Sequence, residues 1–159
     1  MASSNSMLNS NSKLRRRIVV RRSTIHGKGV FAARRIPKGT RVIEYKGRRI
    51  SERAADARYG NDEGTHTFLF LCDDRTVIDA NHDGNSARWM NHSCDPNCET
   101  NEQDGRVYIE AIRDIKAGEE LTYDYLLIVS ERHTAALKRL YACDCGGSAC
   151  RGTILGDKR

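Results

Sequence analysis

Residues 88–97 read RWMNHSCDPN, and residues 120–125 read ELTYDY. Residues 143–150, CDCGGSAC, follow them along the chain. Two shorter segments come first, HGKGVFA at residues 26–32 and EYKG at residues 44–47. Each of these two shorter segments alone is weak evidence for a particular fold, because Gly-containing turns are common. The segments at residues 88–97 and 120–125, followed by the Cys-x-Cys-x4-Cys pattern of residues 143–150, form a combination that is specific to one fold.

Residues 143–150 hold three of the six cysteines, Cys143, Cys145 and Cys150. Thiols stay reduced inside cells, so a disulfide framework is disfavoured. Three thiolates fill three of the four positions of a tetrahedral structural zinc site, and four would close its coordination shell. A set of unconnected free thiols is the alternative, which the clustering argues against. The candidates for the fourth ligand are Cys94, Cys98 and, less favoured, Cys72.

The length of 159 residues fits one compact domain. Hydrophobic residues make up 38% and charged residues 30%, which excludes a fully disordered chain. No stretch approaches the roughly 20 apolar residues of a membrane helix. The first dozen residues, MASSNSMLNSNS, lack the apolar centre of a secretory signal. We therefore expect a soluble, intracellular protein with no membrane partner.

The formal net charge is +6, and residues 1–22 account for all of it, since they hold six basic residues and no acidic one. The remainder of the chain is neutral. Residues 13–22 could make a weak contact with nucleic acid or act as a targeting signal. The alternative is a solvated tail that only aids solubility. Residues 1–14 are rich in Ser and Asn and are predicted to be disordered.

Local patterns predict a mainly β domain of short strands, two helices and tight turns. Ser51 is the predicted N-cap of the first helix, and Gly60 lies just past its end. Ser130 is the predicted cap of the second helix, whose apolar stripe from Ala136 to Tyr141 indicates packing against the domain. The predicted strands are residues 18–20, 40–50, 67–71, 76–79, 99–101, 106–111 and 121–125.

With these segments in this order, residues 18–155 resemble the SET-domain protein lysine methyltransferases that carry a post-SET zinc segment. The resemblance implies a mainly β, β-clip fold of small curved sheets with few short helices and a C-terminal pseudoknot. True threading is rare in proteins, and periodicity does not predict it. The implied organisation is a disordered arm at 1–14, the SET domain at 15–128, a helical extension at 129–142 and the post-SET zinc segment at 143–155.

The resemblance implies S-adenosylmethionine as methyl donor and a lysine side chain as acceptor, which meet in a narrow channel. Free lysine has a pKa of about 10.4, so deprotonating it at pH 7 costs roughly 4–5 kcal/mol. A dry channel and the sulfonium charge of the donor both disfavour the ammonium form. The remaining tasks are alignment and water exclusion, for which tyrosines supply rigid walls and an orienting hydroxyl.

The same resemblance gives roles to three tyrosines. Tyr125 matches the catalytic tyrosine whose hydroxyl lies near the transferring methyl group, and Tyr45 lines the meeting point of donor and lysine. Tyr123 matches the position that sets how many methyl groups fit, and a tyrosine there favours mono- or dimethylation. Phe68 stands where many relatives have a channel tyrosine, and Trp89 where a smaller aromatic residue is usual.

The resemblance also implies the donor and metal sites. Residues 26–30 match the loop that holds the methionine part of the donor, and Asn91 with His92 matches the pair that binds its amino group and adenine. Cys94 matches the zinc ligand that the core supplies. The implied donor-binding set is His26, Lys28, Gly29, Val30, Tyr45, Asn91, His92, Tyr125, Asp144 and Ile154 (or its neighbour Leu155), and the implied zinc ligands are Cys94, Cys143, Cys145 and Cys150.

Acidic residues outnumber basic ones between residues 59 and 87, a stretch that overlaps the wall of the peptide groove in the family. An acidic wall attracts basic peptides, so the predicted substrates are histone tails or other Lys/Arg-rich proteins. The alternative is that these acids solvate two loops. The acids are Asp62, Glu63, Asp73, Asp74, Asp79 and Asp83, and the one basic residue among them is Arg75.

The predicted location is the nucleus and chromatin in a eukaryote or for a host-directed effector, and otherwise the cytoplasm.

Alternative functions are a catalytically silent, zinc-stapled SET module that binds basic proteins, and a nucleic-acid-binding module that uses residues 13–22. The neutral body of the domain disfavours the latter as the main function. Tyr125, Asn91 and His92 are intact, which favours an active enzyme. Glu120 and Asp124 are interpreted as structural residues of a turn and a strand, because no nucleophile partner for them is in sight.

Overall fold

The protein is described from a computed structural model, in which residues 16–60 and 68–157 are placed. The predicted disordered arm, residues 1–14, lies outside them. The strands are β1 Ile18–Arg22, β2 Lys28–Ala32, β3 Arg41–Glu44, β4 Arg48–Ser51, β5 Leu69–Leu71, β6 Thr76–Asp79, β7 Asn91–His92, β8 Cys98–Gln103, β9 Arg106–Ala111 and β10 Glu120–Tyr123. The helices are α1 Glu52–Tyr59, a 3-10 helix Ser86–Trp89 and α2 Ala135–Leu140.

Three small sheets make up the domain, with strand orders β1-β2-β10-β7, β3-β9-β8 and β4-β6-β5. Among the described strands, the pairings are antiparallel except that of β10 with β7, which run parallel with Thr122 opposite Asn91 and Tyr123 opposite His92. Segments that are distant in sequence therefore become neighbours in the first sheet. The prediction of a mainly β domain of small sheets with few short helices is confirmed.

Two buried clusters form the core. In the larger cluster, Val30 of β2 and Leu121 of β10 pack with Ile109 of β9, all fully buried. In the smaller cluster, Tyr45 packs with Ile78 and neighbouring small residues. Within the described residues, no helix is long and apolar enough to cross a membrane.

The single strand predicted at residues 40–50 is wrong, because the chain breaks into β3 and β4 in two different sheets. The backbone N–H of Tyr45 donates to the carbonyl of Val107, whereas that of Arg48 donates to the carbonyl of His82. Between them, a Cβ on Gly47 would lie 2.6 Å from the carbonyl oxygen of Asp79. Only glycine allows this close approach between β4 and β6. The break between β3 and β4 places Tyr45 in the smaller core cluster with Ile78 of β6.

The second helix also differs from its prediction. It begins after Thr134, whose hydroxyl accepts from the N–H of Leu137, and Ser130 is not its cap. None of its residues is buried, and Leu140 is 45% exposed. Leu137 and Tyr141 of the predicted stripe are half-buried and Ala136 is exposed, so the stripe packs against the domain only in part.

Asp79 at the end of β6 ties α1 to the middle sheet. Its side chain is fully buried and accepts hydrogen bonds from the Tyr59 hydroxyl at 2.9 Å, Nδ2 of Asn81 at 2.9 Å and Nδ1 of His82 at 3.0 Å. Burial disfavours the carboxylate, but these hydrogen bonds outweigh burial and lower the pKa of Asp79. The first helix matches its prediction, with Ser51 as N-cap and Gly60 as C-cap.

Three of the four described acids do not support the predicted acidic wall, whereas Asp73 is exposed. Asp79 is buried and cannot face a peptide. Asp74 pairs with Arg49 at 3.4 Å, and Asp83 pairs with Arg48 at 3.2 Å. Both arginines come from β4, which precedes the counted stretch, so a count along the sequence overlooked these partners. Asp62 and Glu63 lie outside the described residues.

Candidate active site and thiolate cluster

The parallel pairing of β7 and β10 builds the centre of the site around Asn91. Its side chain is 6% exposed. The amide nitrogen Nδ2 lies 3.2 Å from the carbonyl oxygen of His26, 2.9 Å from that of Lys28 and 2.8 Å from Oε1 of Glu120. One buried amide thus fixes the loop between β1 and β2 against β10.

Glu120 completes this arrangement, and sequence reasoning missed its part in the site. Its two carboxylate oxygens each lie 2.8 Å from the Ser23 hydroxyl. A Cβ on Gly29 would overlap Oε1 of Glu120, so only glycine allows the carboxylate to lie against the loop. We call Ser23, Gly29, Asn91 and Glu120 the loop cradle. The spacing of Glu120 from its partners, 29 residues or more, left no local signal.

His92 links the tyrosines to the cysteines. Its Nδ1 accepts the backbone N–H of Tyr125 at 3.0 Å, so the proton of the neutral ring is on Nε2. Nε2 lies 3.3 Å from Sγ of Cys94. The ring is buried and meets the Tyr125 ring edge-on, with centroids 5.4 Å apart. The predicted neighbours Asn91, His92 and Tyr125 are therefore brought together.

The three predicted tyrosines converge on one spot. The Tyr125 hydroxyl donates to the carbonyl of Met90 at 2.6 Å, and the rings of Tyr123 and Tyr125 lie 5.0 Å apart. Tyr45 is 4% exposed and Tyr123 8% exposed. Burial, reinforced by the neighbouring phenols, raises the pKa of Tyr123 and of Tyr125, and burial also raises that of Tyr45. All three phenols are therefore neutral at physiological pH and can orient groups without acting as bases.

An aromatic wall adjoins this spot. The rings of Phe68 and Trp89 meet edge-on at 5.0 Å, and the cations of Lys28 and Arg88 lie 4.6 and 4.8 Å from the Trp89 centroid. Cation–π contacts of this kind stabilise by about 0.5–1 kcal/mol each at exposed sites. The larger aromatic residue at position 89 thus packs against the loop whose carbonyls bond to Asn91.

Four thiols meet on the other side of His92. The sulfurs of Cys94, Cys143, Cys145 and Cys150 all lie within 4.8 Å of one another, and we call these four residues the thiolate cluster. Sγ of Cys94 is 3.8 Å from that of Cys143 and 3.9 Å from that of Cys150. Zinc–sulfur bonds of about 2.3 Å in a tetrahedron set sulfur separations of about 3.8 Å, so the cluster fits zinc.

The remaining two cysteines are apart from the thiolate cluster. Cys72 and Cys98 are 3% and 1% exposed and pack in the two core clusters. Burial raises the pKa of Cys98 to about 12, which keeps it a neutral thiol. Of the three candidates for the fourth ligand, Cys94 is the one that the structure places with the tail cysteines.

The tail after the cluster returns to the domain beside Tyr125. The Arg151 guanidinium makes two hydrogen bonds to Asp124, at 2.5 and 2.9 Å. The backbone nitrogen of Arg151 lies 3.4 Å from Sγ of Cys94. Burial opposes the charge on Asp124, but the Arg151 hydrogen bonds prevail and lower its pKa. Leu155, 2% exposed, bridges in parallel to Leu127.

The other predicted donor-binding residues take varied positions. Ile154 is half-buried and bonds through its backbone to Leu127 and Tyr141, whereas Asp144 is exposed between two cysteines of the cluster. Val30 is fully buried in the core.

A model of the SET domain family matches residues 27–126, which hold the loop cradle except Ser23, the three tyrosines and Cys94. The chain belongs to the SET-domain family. The match includes the two segments that the sequence analysis singled out, at residues 88–97 and 120–125.

Similar proteins extend the comparison. A histone-lysine N-methyltransferase, H3 lysine-4 specific, from Chaetomium globosum is 41% identical over 84% of this chain. Histone-lysine N-methyltransferase 2B from Homo sapiens is 41% identical over 83%. The chain spans only 13% and 5% of the lengths of these two SET-domain relatives.

A solved structure of ctPRC2 in an autoinhibited conformation bound to S-adenosylmethionine shares the fold. It superposes with a TM-score of 0.63 at 36% identity, over 69% of this chain and 15% of that one. The SET fold is thus supported by sequence and structure together.

Proposed function

We propose that this SET domain transfers a methyl group from S-adenosylmethionine to the side-chain amine of a lysine in a histone or another Lys/Arg-rich protein. The observation that carries the proposal is the junction at Asn91, His92 and Tyr125, where the two family segments meet by direct hydrogen bonds. The names of the relatives and the donor bound in the ctPRC2 structure support it. A location on chromatin agrees with the same relatives.

The donor would be held by the loop cradle and its surroundings. The carbonyls of His26 and Lys28 are oriented by Asn91, and Gly29 next to them is buried against the Glu120 carboxylate. Tyr45 and Tyr125 would line the space around the methyl group. Asp144 and Ile154, which lie in the tail, would cover the adenine. A zinc ion in the thiolate cluster, bound by Cys94, Cys143, Cys145 and Cys150, would supply the structural clamp that holds this tail.

Chemistry at the site follows from neutral phenols. None of Tyr45, Tyr123 and Tyr125 is a phenolate that could take the proton, so the lysine ammonium has to lose it to solvent before transfer, favoured by desolvation in the channel. The nitrogen lone pair then forms the new bond to the methyl carbon as the carbon–sulfur bond breaks. The residues contribute alignment and exclusion of water.

A radiolabelled-donor assay on mixed histones tests this function. We expect the zinc-loaded chain to label a histone, and an excess of a Lys/Arg-rich competitor peptide to reduce the labelling. Tight histone binding with no label on any basic protein would instead support the silent module and overturn the proposal.

We expect Tyr123→Phe to shift the product towards trimethyllysine. The Tyr123 side chain is 8% exposed among other phenols, and losing its hydroxyl removes the group that would hold a water in the space for a third methyl group. Mass spectrometry of the product over time gives the methyl count. Tyr108→Phe, on β9 beneath Arg41, is the matched control. An unchanged mono- to dimethyl distribution in Tyr123→Phe would contradict this role.

We expect Glu120→Ala to weaken donor binding by about 10- to 100-fold. The substitution removes the carboxylate that accepts from Asn91 and Ser23, and hydrogen bonds to charged groups contribute about 1.5–3 kcal/mol each. Calorimetric titration with S-adenosylmethionine measures the dissociation constant of the donor. Glu119→Ala is the control, since it removes the same charge at the adjacent position, where the carboxylate pairs with Arg113. Equal donor affinities in the two variants would show that the cradle does not bind the donor.

A further inference from the structure

The indole ring of Trp89 contacts two parts of the candidate site at once. The ammonium group of Lys28 lies 4.6 Å from the centroid of this ring. Lys28 belongs to the loop of residues 26–30, which we call the donor loop. The ring of Phe68 in the aromatic wall meets the indole edge-on, with centroids 5.0 Å apart. A large aromatic residue at position 89 therefore joins the donor loop to the aromatic wall.

The ring of Trp89 is a fixed surface. It is carried by the 3-10 helix Ser86–Trp89, is half-buried and packs against the larger core cluster. The neighbouring Arg88 donates from Nη1 to the carbonyl of Ala80 at 3.2 Å, and its guanidinium lies 4.8 Å from the indole centroid. A lysine side chain in water samples many rotamers, so contact with such a surface restricts it.

Lys28 is attached to the segment at residues 88–97 through both its backbone and its side chain. Its carbonyl accepts from Nδ2 of Asn91 at 2.9 Å, and its ammonium group lies at Trp89, two residues earlier in the same segment. Glycines flank Lys28, and Gly27 has a φ of 45°. Because glycine backbone is permissive, the loop by itself leaves the direction of the lysine side chain weakly defined. The two attachments define that direction.

The charge of Lys28 is complementary to one group of the donor. S-adenosylmethionine carries a sulfonium, an ammonium and a carboxylate, and only the carboxylate is attracted to a lysine. This carboxylate belongs to the methionine part, which the family resemblance assigns to the donor loop. An ammonium group has three N–H donors, and contact with a ring leaves donors available on its other side. Lys28 can therefore contact the ring and a carboxylate together.

We propose that Trp89 is a positioning residue for the methyl donor, because it holds the Lys28 ammonium group where that group pairs with the carboxylate of S-adenosylmethionine. The inference rests on the proposed function, since it takes the donor loop as the place where the donor binds. Apparent affinity falls with the fraction of molecules in which the lysine points elsewhere, so a preformed contact tightens binding. Trp89 acts through Lys28 and contributes to donor binding and not to the transfer step.

Calorimetric titration with S-adenosylmethionine tests the inference. We expect Trp89→Leu, which removes the aromatic face, to weaken donor binding about 3- to 10-fold. Trp89→Phe keeps a smaller aromatic face and should retain most of the affinity. The KM for the donor should rise in Trp89→Leu by the same factor, with kcat at saturating donor unchanged. Tyr108→Leu is the matched control, because it breaks the 3.9 Å contact of Arg41 with a different ring, on β9, and should leave donor affinity unchanged.

Two comparisons separate this role from a general effect on the fold. In a Lys28→Met background, Trp89→Leu should have no further effect on donor affinity, because the side chain through which the ring acts is gone. Decarboxylated S-adenosylmethionine, which lacks the carboxylate, should bind equally to Trp89→Leu and to the wild type. An undiminished effect of Trp89→Leu in the Lys28→Met background, or an equal effect on the decarboxylated compound, would overturn the inference.

Fluorescence checks the contact in the free protein. Trp89 is the only tryptophan of the chain, so tryptophan emission reports on this ring alone. Lys28→Met removes a charge 4.6 Å from the ring and should shift the emission maximum. Lys138→Met, on the exposed side of α2, should leave the emission unchanged. Identical spectra of the wild type and Lys28→Met would overturn the contact, and this comparison needs no substitution of Trp89.

The outcome for donor binding distinguishes this inference from the proposed function. Equal donor affinities in the wild type, Trp89→Leu and Trp89→Phe would overturn the role of Trp89 and leave the proposed function standing. A zinc-loaded wild type that binds no S-adenosylmethionine would overturn both.

Discussion

Tyr125→Phe is expected to lower the rate of methyl transfer by at least about 100-fold. The Tyr125 hydroxyl is fixed by its 2.6 Å hydrogen bond to the carbonyl of Met90, and its ring is held between His92 and Tyr123. The loss of one preorganised polar group at a reacting centre typically lowers a rate by about 10²- to 10³-fold. Because burial raises the pKa of Tyr125, the hydroxyl acts as a neutral orienting group, and its loss should not shift the pH profile.

The fold should tolerate this change. Losing one hydrogen bond costs about 0.5–1.5 kcal/mol, which lowers the melting temperature by only a few degrees in a domain of this size. Tyr108→Phe on β9 is the control and should keep wild-type activity. Donor binding by calorimetry distinguishes the roles: wild-type affinity with lost turnover is expected in Tyr125→Phe. Wild-type turnover in this variant would remove Tyr125 from the chemistry.

Cys145→Ala is expected to lose the zinc, the ordered tail and most of the transfer activity together. The thiolate cluster joins residues 143–155 to Cys94 of the core, and Leu155 is buried beside Leu127. Structural zinc contributes folding free energy directly, because its ligands are brought together only in the folded state. We expect the melting temperature to fall by roughly 5–10 °C, since each kcal/mol lost lowers it by about 2–4 °C.

Metal analysis of the purified proteins checks this expectation. The wild type should contain one zinc per chain, and Cys145→Ala much less. Cys72→Ala is the matched control, because Cys72 is buried in the smaller core cluster away from the other sulfurs. Full zinc content in Cys145→Ala, or equal loss in Cys72→Ala, would overturn the ligand assignment.

The sequence predicted those parts of the site that lie within short segments. Asn91, His92 and Cys94 lie within four positions, and Tyr123 with Tyr125 within three, so a motif identifies them before any fold is known. The hairpin of β8 and β9 and the first helix were predictable for the same reason, because turn and cap residues act locally.

Interactions between distant segments were not predictable in this way. Glu120 holds Ser23 across 97 residues, and Arg151 holds Asp124 across 27. The acidic wall was overestimated for the same reason, since Arg48 reaches Asp83 from a strand outside the counted stretch. The second helix shows a different limit: helical spacing indicates which residues share a face, but not how fully that face is covered.

The most direct measurement uses a donor whose methyl group carries deuterium, incubated with the zinc-loaded chain and mixed histones and read by tandem mass spectrometry. A deuterated methyl group on the side-chain nitrogen of a histone lysine, absent when Tyr125→Phe replaces the wild type, is the predicted result. Lysines that all stay unlabelled, with a wild-type chain that binds the donor and holds its zinc, would contradict the account.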